Sequence, residues 1–515
     1  MNNSPHFAAP PIVWTVAGSD SGAGAGLQAD LRAFEAMGVH GCSAVAALTA
    51  QNSLAVQRIE PVSAPMLNAQ LTALAEDLPP AAIKTGMLGS AANLQLLVRW
   101  IDRLRETSPA LAVVVDPVLR ASTGAGFADE ALLQAYRSEL LPRATLITPN
   151  RAEAAALLGS PALDSKDSVE QAAQDLLALG CHAVVITGGD DGGDLSEDYA
   201  ATAHASGWLS LPRVATAHHH GTGCVFASSA AAALARGFVA IEAIILAKMA
   251  TTESLRHGYP AGLGAGPVSP RADFALHSAN LPAFSIPGRV AAPGFAPLAD
   301  PDLGLYAVVD SAAWVERVLL AGVRTVQLRI KDPRHPRLRE EIRQSVAAAH
   351  EARAQLFIND YWRIALEEGA YGVHLGQEDL AGADLAAIAA AGLRLGVSTH
   401  AYWEVCRAWA LQPSYIACGP IHATQSKDMP WIPQGNDNLA YWSALLPLPV
   451  VGIAGMDAER AAQAMACGAA GAAVITAITA APSPEAAVGQ LQQAIGAGKT
   501  RLHVPAPVLP QSTLH

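Results

Sequence analysis

The feature that most restricts the fold is a rhythm in the second half of the chain. Short apolar runs recur at Leu305 to Val309, Thr325 to Leu328, Gln355 to Ile358, Tyr371 to Leu375, Leu393 to Val397, Tyr415 to Cys418, Val450 to Ile453 and Ala472 to Ile475. Ala/Leu-rich stretches of helical period separate them. About eight β-then-α units in roughly 200 residues is the count of a (β/α)8 barrel near its lower size limit. Polar residues or glycines close nearly every run: Arg329 and Lys331, Asn359 and Asp360, Gly376 and Asp379, Ser398 and His400, Gly419, Gly455, Thr476. Barrel active sites sit at the C-terminal ends of the strands. Strand termination explains one or two polar residues. It does not explain two carboxylates, several cations and several hydroxyls together.

The first half is also α/β but less regular. Strand-like runs appear at Ile12 to Ala17, Val113 to Val118, Leu146 to Thr148 and Ala183 to Thr187, and Asp198 to Val214 reads as a hairpin. The expected architecture is an open, mostly parallel sheet with helices on both faces. At 515 residues the chain exceeds one ordinary core. The Pro/Gly-rich stretch from about Gly258 to Pro301 has no sustained period and supplies the boundary. The expected division is a first domain at 1–275, a linker at 276–300, a barrel at 301–497 and a tail at 498–515.

The net charge of −12 argues against a nucleic-acid binder, so an anionic ligand needs a local patch. Arg324, Arg329, Lys331, Arg334, Arg337 and Arg339 form the obvious one. The six cysteines contain no Cys-x-x-Cys pair, which removes support for zinc or dithiol chemistry and fits reduced thiols in the cytoplasm. Met1 to Pro11 lacks the pattern of a signal peptide. The run Ala230 to Ala250 is interrupted by Arg236, Glu242 and Lys248, which favours a core helix over a membrane span.

Three signals in the first half carry chemistry. Gly22, Gly24 and Gly26 lie between a strand and a helix. A dinucleotide-binding turn would need an acidic residue after the next strand, and there the sequence has Gln51 and Asn52. Gly221-Thr222-Gly223-Cys224 opens a helix, where backbone N–H groups and the helix field favour an anion and would lower a thiol pKa. The alternative for Cys224 is a small core residue. Asn150 and Glu153 follow a strand and suit either a metal–phosphate region or a helix start. His218 to His220 lacks a second ligand cluster and is read as a loop before the glycine turn.

These signals sit within a larger pattern. A-G-S-D-S-G-A-G-A-G-L-Q-A-D-L (Ala17 to Leu31), T-A-Q-N (Thr49 to Asn52), K-T-G-M-L (Lys84 to Leu88), D-P-V (Asp116 to Val118), L-I-T-P-N-R-A-E-A (Leu146 to Ala154) and H-G-T-G-C (His220 to Cys224) occur in order. The half resembles the hydroxymethylpyrimidine/phosphomethylpyrimidine kinases, from about Ile12 to Pro267. That resemblance implies a ribokinase-like fold and ATP-dependent phosphorylation of the pyrimidine alcohol and then of its monophosphate. It places Gly18, Gln51, Met87 and Val118 in the pyrimidine pocket. Gly221, Thr222, Gly223 and Cys224 become an anion hole, with Cys224 the candidate base. Asn150 and Glu153 serve the ATP–metal region with Thr187, which stands where the family often has a lysine.

In the second half, Gln327, Arg329 and Lys331 alternate onto one side of a strand end. Asp360 and Asp379 follow successive strands and suit a Mg²⁺ clamp for a diphosphate, the alternative being a salt-bridge network. L-G-L-Y-A-V-V-D (Leu303 to Asp310), Q-L-R-I-K-D (Gln327 to Asp332), L-F-I-N-D-Y-W-R (Leu356 to Arg363), G-V-H-L-G-Q-E-D-L (Gly372 to Leu380), R-L-G-V-S-T-H (Arg394 to His400) and T-Q-S-K-D-M-P (Thr424 to Pro430) resemble thiamine phosphate synthase. The resemblance implies joining of a pyrimidine diphosphate to a thiazole phosphate with release of pyrophosphate. It implies Mg²⁺ at Asp360 and Asp379. Gln327, Arg329, Lys331, Asn359, Ser398, Thr424, Ser426 and Lys427 would surround the pyrimidine diphosphate, with Arg329, Lys331, Ser398 and Lys427 catalytic. Gly455, Ile475 and Thr476 would hold the thiazole phosphate. The expected partners are these small molecules and ATP, with no nucleic acid and no membrane. The sequence is compatible with a homo-oligomer.

Overall fold

Trp14 and Val16 of the first strand are fully buried, as are most of their neighbours, so this strand is covered on both faces, as a central parallel strand requires. The computed structural model describes residues 9–119, 129–189, 192–286, 294–423, 431–501 and 503–514. The chain divides into two units, Met1–Pro282 and Ala283–His515.

The first unit contains β1 (Ile12–Ser19), β2 (His40–Gln51), β3 (Val56–Pro61), β4 (Ala82–Thr85), β5 (Ala112–Val115), β6 (Leu146–Ile147), β7 (Val184–Ile186), β8 (Leu195–Ala201) and β9 (Ser206–Pro212). Their order in the sheet is β9-β8-β7-β6-β5-β4-β1-β2-β3. The pairs from β2 through β1 and β4 to β7 are parallel. Antiparallel pairing at the two ends adds β3 on one side and the β8–β9 hairpin on the other. The sheet is thus mostly parallel, and the sequence between Asp198 and Val214 falls largely in that hairpin. The register between β1 and β2 slips between Ala17 and Gly18, where the chain leaves the strand for the glycine loop. The expected single helix over Ala230 to Ala250 is instead two, Thr222–Ala235 and Ala240–Arg256. The break falls at Gly237, whose φ of +90° suits a residue without Cβ. Among the described residues no helix is long and apolar enough to cross a membrane.

The second unit opens on β10 (Ala283–Phe284). Its barrel comprises β11 (Gly304–Val309), β12 (Thr325–Leu328), β13 (Gln355–Asn359), β14 (Gly372–Leu375), β15 (Arg394–Thr399), β16 (Tyr415–Cys418), β17 (Val450–Ile453) and β18 (Gly471–Val474). Every pair is parallel, and β18 returns to β11 to close the barrel. Each strand overlaps one of the apolar runs read from the sequence. Tyr306, Phe357, Tyr415, Val451 and Ala473 fill the interior, so the barrel is a packed core. Residues just before the barrel dock onto it: Leu298 joins that core, and the Ala296 carbonyl accepts from Ser414 Oγ at 2.6 Å. Residues near the C-terminus also pack back, with Val504 N donating to Ala466 O and Ile432 N to Thr513 O.

Candidate active sites

In the first unit the glycine loop and the H-G-T-G-C turn meet. Asp20, directly after β1, is buried, and its carboxylate accepts backbone N–H groups from Gly22 at 2.8 Å, Gly24 at 3.0 Å and Ala25 at 2.9 Å. His220 Nε2 lies 3.2 Å from the same carboxylate. Burial alone would raise the Asp20 pKa, but His220 and the Ala25 and Gly22 N–H groups hold it below the usual carboxylate range. Gln51 reaches His220 at 3.3 Å, and its carbonyl accepts from Ser21 Oγ at 2.7 Å. Gly18 faces Met87, whose Cε stands 2.4 Å from where a Cβ would be. A cavity of about 260 Å³ opens here, lined by Asp20, Gly22, Gly24, Asn52, Ser53 and His220 among others. Gly18, Gln51 and Met87 stand at or just past the ends of the neighbouring strands β1, β2 and β4, and none of the three lines this cavity. Val118 stands half-buried two residues after Asp116.

Gly221 caps the helix Thr222–Ala235 with φ +86°, and a Cβ there would stand 2.1 Å from Gly24 O. Only glycine allows that backbone and that approach. No side chain caps this helix; of its first N–H groups, Thr222 N donates to His219 O at 3.3 Å, and an anion hole would draw on the others.

Cys224 departs from expectation. The residue is half-buried, but burial pushes its thiol up to about 12. Lys84 and the Gly26 backbone pull the value down, and Asp30 and Asp116 push it up. The helix field expected to lower this thiol is therefore outweighed by desolvation. Cys224 also packs against the apolar group of Ala29, Ala33, Val225 and Val268.

Beside it lies a charged cluster that sequence reasoning missed. Lys84 on β4 is fully buried and lies 3.0 Å from Asp30 and 3.3 Å from Asp116. Asp30 also accepts from Thr15 at 2.6 Å and from Ser228 at 2.8 Å. The available signal was a lysine inside the apolar strand A-I-K-T.

Asn150 and Glu153 form a helix start. Glu153 N donates to Asn150 Oδ1 and Asn150 N donates to Glu153 Oε2, both at 2.9 Å, a reciprocal capping box. Asn150 also bridges to Thr187 in parallel fashion, so those two expected ATP-side residues are neighbours.

In the second unit the strand ends ring a cavity of about 1000 Å³ lined by Gln327, Arg329, Lys331, Asn359, Asp360, Asp379, Ser398, Gly455, Ile475 and Thr476 among others. The sequence-read residues of the barrel thus converge. Thr424, Ser426 and Lys427 lie outside the described residues. Asp360 takes φ +63°, rare for a non-glycine residue, and Asn359 Nδ2 donates to its carboxylate at 2.5 Å. Burial and then the facing Asp379 carboxylate raise Asp360 to about 6, against a smaller pull from Arg329. Two carboxylates this close repel unless a proton or a cation stands between them. Hard oxygen donors so placed fit a divalent ion such as Mg²⁺, whereas the salt-bridge alternative would leave each paired with a cation.

Below the cavity a chain of hydrogen bonds crosses the barrel. Ser398 Oγ and His374 Nε2 are 2.8 Å apart, His374 Nδ1 and Tyr415 OH 2.7 Å, and Tyr415 OH and Tyr306 OH 2.6 Å. Gln327 Nε2 donates to Tyr306 OH at 3.2 Å. Burial, with the Arg329 charge and His400 nearby, lowers His374 to about 3, so its ring is neutral. Tyr306, His374 and Tyr415 were missed because they sit inside strands rather than after them. Arg460, also missed, donates to Gly455 O at 2.7 Å.

Comparison with known proteins assigns each unit to a family. The model of the phosphomethylpyrimidine kinase family matches residues 20–269, and that of thiamine monophosphate synthase matches residues 305–478. A probable chloroplastic thiamine biosynthetic bifunctional enzyme of Oryza sativa subsp. japonica is 33% identical over 474 residues, 89% of this chain and 83% of that one. A thiamine-phosphate synthase of Salmonella enteritidis is 52% identical over 197 residues, 38% of this chain and 93% of that one. A solved pyridoxal kinase from Staphylococcus aureus, in complex with AMP-PCP and pyridoxal, is 32% identical, covering 51% of this chain and 94% of that one at a TM-score of 0.47. The chain belongs to the family of bifunctional thiamine biosynthetic enzymes, with a phosphomethylpyrimidine kinase in its first unit and a thiamine-phosphate synthase in its second.

Proposed function

We propose that the first unit uses ATP to phosphorylate 4-amino-5-hydroxymethyl-2-methylpyrimidine and then its monophosphate. The second unit then joins the diphosphate to 4-methyl-5-(2-phosphoethyl)thiazole, giving thiamine phosphate and pyrophosphate. The observation that carries the reading is the Asp360–Asp379 pair at the mouth of a cavity ringed by Arg329 and Lys331.

In the kinase, Gly18, Gln51, Met87 and Val118 hold the pyrimidine. The N–H groups of Gly221, Thr222, Gly223 and Cys224 face the charge that develops on the transferred phosphoryl group. Cys224 accepts the hydroxyl proton. With its thiol near 12, the competent thiolate is a minor species at neutral pH. Asn150, Glu153 and Thr187 stand on the ATP–metal side.

In the synthase, Mg²⁺ held by Asp360 and Asp379 would offset diphosphate charge. Arg329, Lys331, Asn359 and Ser398 bind and orient that group, with Thr424, Ser426 and Lys427 assigned to it from the sequence alone. Gln327 orients the pyrimidine, whose amino substituent stabilises the methylene cation as pyrophosphate leaves. Gly455, Ile475 and Thr476 hold the thiazole phosphate, and the thiazole nitrogen attacks, so no protein nucleophile is required. Free cysteines at all six positions support a reducing, cytoplasmic setting.

A coupled assay with the pyrimidine alcohol, the thiazole phosphate, ATP and Mg²⁺ should yield thiamine phosphate. Purified chain that phosphorylates the pyrimidine but never forms thiamine phosphate, even from supplied diphosphate, would refute the synthase half.

A further inference from the structure

His220 poses a proton-counting problem whose solution reaches the substrate. Its Nε2 lies 3.2 Å from Asp20 Oδ2 and 3.3 Å from Gln51 Nε2. A ring nitrogen without a proton can accept from the amide but repels the carboxylate. A ring nitrogen with a proton can donate to the carboxylate but has nothing to offer an amide NH2. Asp20 decides between them. Its carboxylate already accepts three backbone N–H groups and is only 4% exposed, so it is an ionised acceptor. His220 must therefore carry its proton on Nε2.

The consequence falls on Gln51. Its amide has to present Oε1, not Nε2, to His220, because the two ends of an amide differ in hydrogen-bonding sense but hardly in shape. The neighbours accept that exchange. Thr49 Oγ1 donates to Ser19 O at 3.0 Å and stands 3.5 Å from the other end of the Gln51 amide. Its hydroxyl proton is thus committed, and it retains a lone pair for an amide N–H. With the amide turned, every donor in Asp20–His220–Gln51–Thr49–Ser19 meets an acceptor. In the opposite orientation two donors or two acceptors collide at one of the links.

We infer that the Asp20–His220 pair fixes the Gln51 amide in one orientation, so that Gln51 reads the substrate with a donor and an acceptor in a set order. After His220 and Thr49 are served, the amide keeps one N–H and one carbonyl lone pair. That pair matches a ring nitrogen beside an exocyclic amino group, the edge of an aminopyrimidine, and mismatches a ring with the two functions exchanged. Asp20 and His220 are then positioning residues that act through Gln51. The inference rests on the pyrimidine-kinase reading and names what selects that substrate class.

Two measurements test it. The first needs no substrate. In full-length chain with ¹⁵N-labelled histidine, the His220 signals, identified by their loss in His220→Gln, should show the proton on Nε2. A proton on Nδ1 with Nε2 bare overturns the inference. The second compares the aminopyrimidine alcohol with an analogue carrying C–H in place of the ring nitrogen beside the amino group. The wild-type kinase should prefer the pyrimidine by about 10- to 100-fold in kcat/KM, the cost of a donor left unpaired. His220→Leu removes the donor that holds Gln51 Oε1, leaves Asp20 its three backbone N–H partners and should shrink that preference to within about threefold. Urea unfolding of the first unit, unchanged, reports that the variant is folded. Full discrimination in an active His220→Leu variant overturns the inference. If that variant does not fold, the tautomer measurement decides alone. A wild-type chain that phosphorylates neither compound refutes the kinase reading, and the tautomer result stands apart from it.

Discussion

The Lys84 ammonium lies 3.0 Å from the Asp30 carboxylate, and neither side chain is exposed to water. Asp116 completes the cluster at 3.3 Å. Breaking a buried ion pair by removing one partner strands the other charge, at about 3–5 kcal/mol. Lys84→Met should lower the unfolding free energy of the first unit by about that amount, read from urea unfolding. Unfolding of the barrel unit should not move. A variant as stable as the wild type would show that the cluster is neutralised by other means.

Cys224 offers a test by pH. With its pKa raised to about 12, the thiolate fraction of Cys224 grows tenfold for each unit by which pH rises towards that value. If the thiolate takes the hydroxyl proton, log kcat of the kinase should rise with a slope of about one between pH 7 and 9. Cys224→Ala should lower the rate by about 10²–10⁴-fold and flatten the profile. A flat wild-type profile would assign Cys224 to packing against Val225 and Val268.

The Asp360–Asp379 pair predicts linked metal and pH effects. Asp360 is raised from 3.8 to about 6, so the folded state favours its protonated form. The pair is then most favourable to stability below about pH 4, and that contribution is lost as pH rises through 6. Mg²⁺ should therefore stabilise the second unit above pH 6 and have little effect at pH 4.5, measured as melting temperature. Asp360→Asn and Asp379→Asn should each raise the Mg²⁺ midpoint of the synthase while kinase turnover stays constant. An unchanged midpoint in both variants would rule out the clamp.

The two units predict separable activities. A fragment spanning Ala283–His515 should form thiamine phosphate from supplied pyrimidine diphosphate. A folded fragment that stays inactive until the first unit is added would contradict this.

The sequence was most informative where a function depends on a strand end. Arg329, Asn359, Asp360, Asp379, Ser398, Gly455 and Thr476 all follow apolar runs and all line one cavity. It was least informative where a polar group lies inside a strand or helix. Lys84, Asp30, Tyr306 and His374 read as interruptions of an apolar pattern, because their partners are 15 to 198 residues away in sequence. Asn150 and Glu153 show the reverse case. Their spacing of three residues fixed a local capping box, and that local geometry is what formed.

By itself the sequence determined the β-then-α order, the eight barrel strands and the glycine turn that opens the Thr222–Ala235 helix, since each follows from periodicity and backbone freedom over a few residues. Only the tertiary structure decided the ionisation of the groups it brought together. Cys224 sits at a helix start that should acidify it, yet burial among Lys84, Asp30 and Asp116 leaves it a thiol. Asp360 is an ordinary aspartate in the sequence and a half-titrated one near pH 6 beside Asp379. Desolvation and close charges act over a few ångströms of space, and distance along the chain does not encode them.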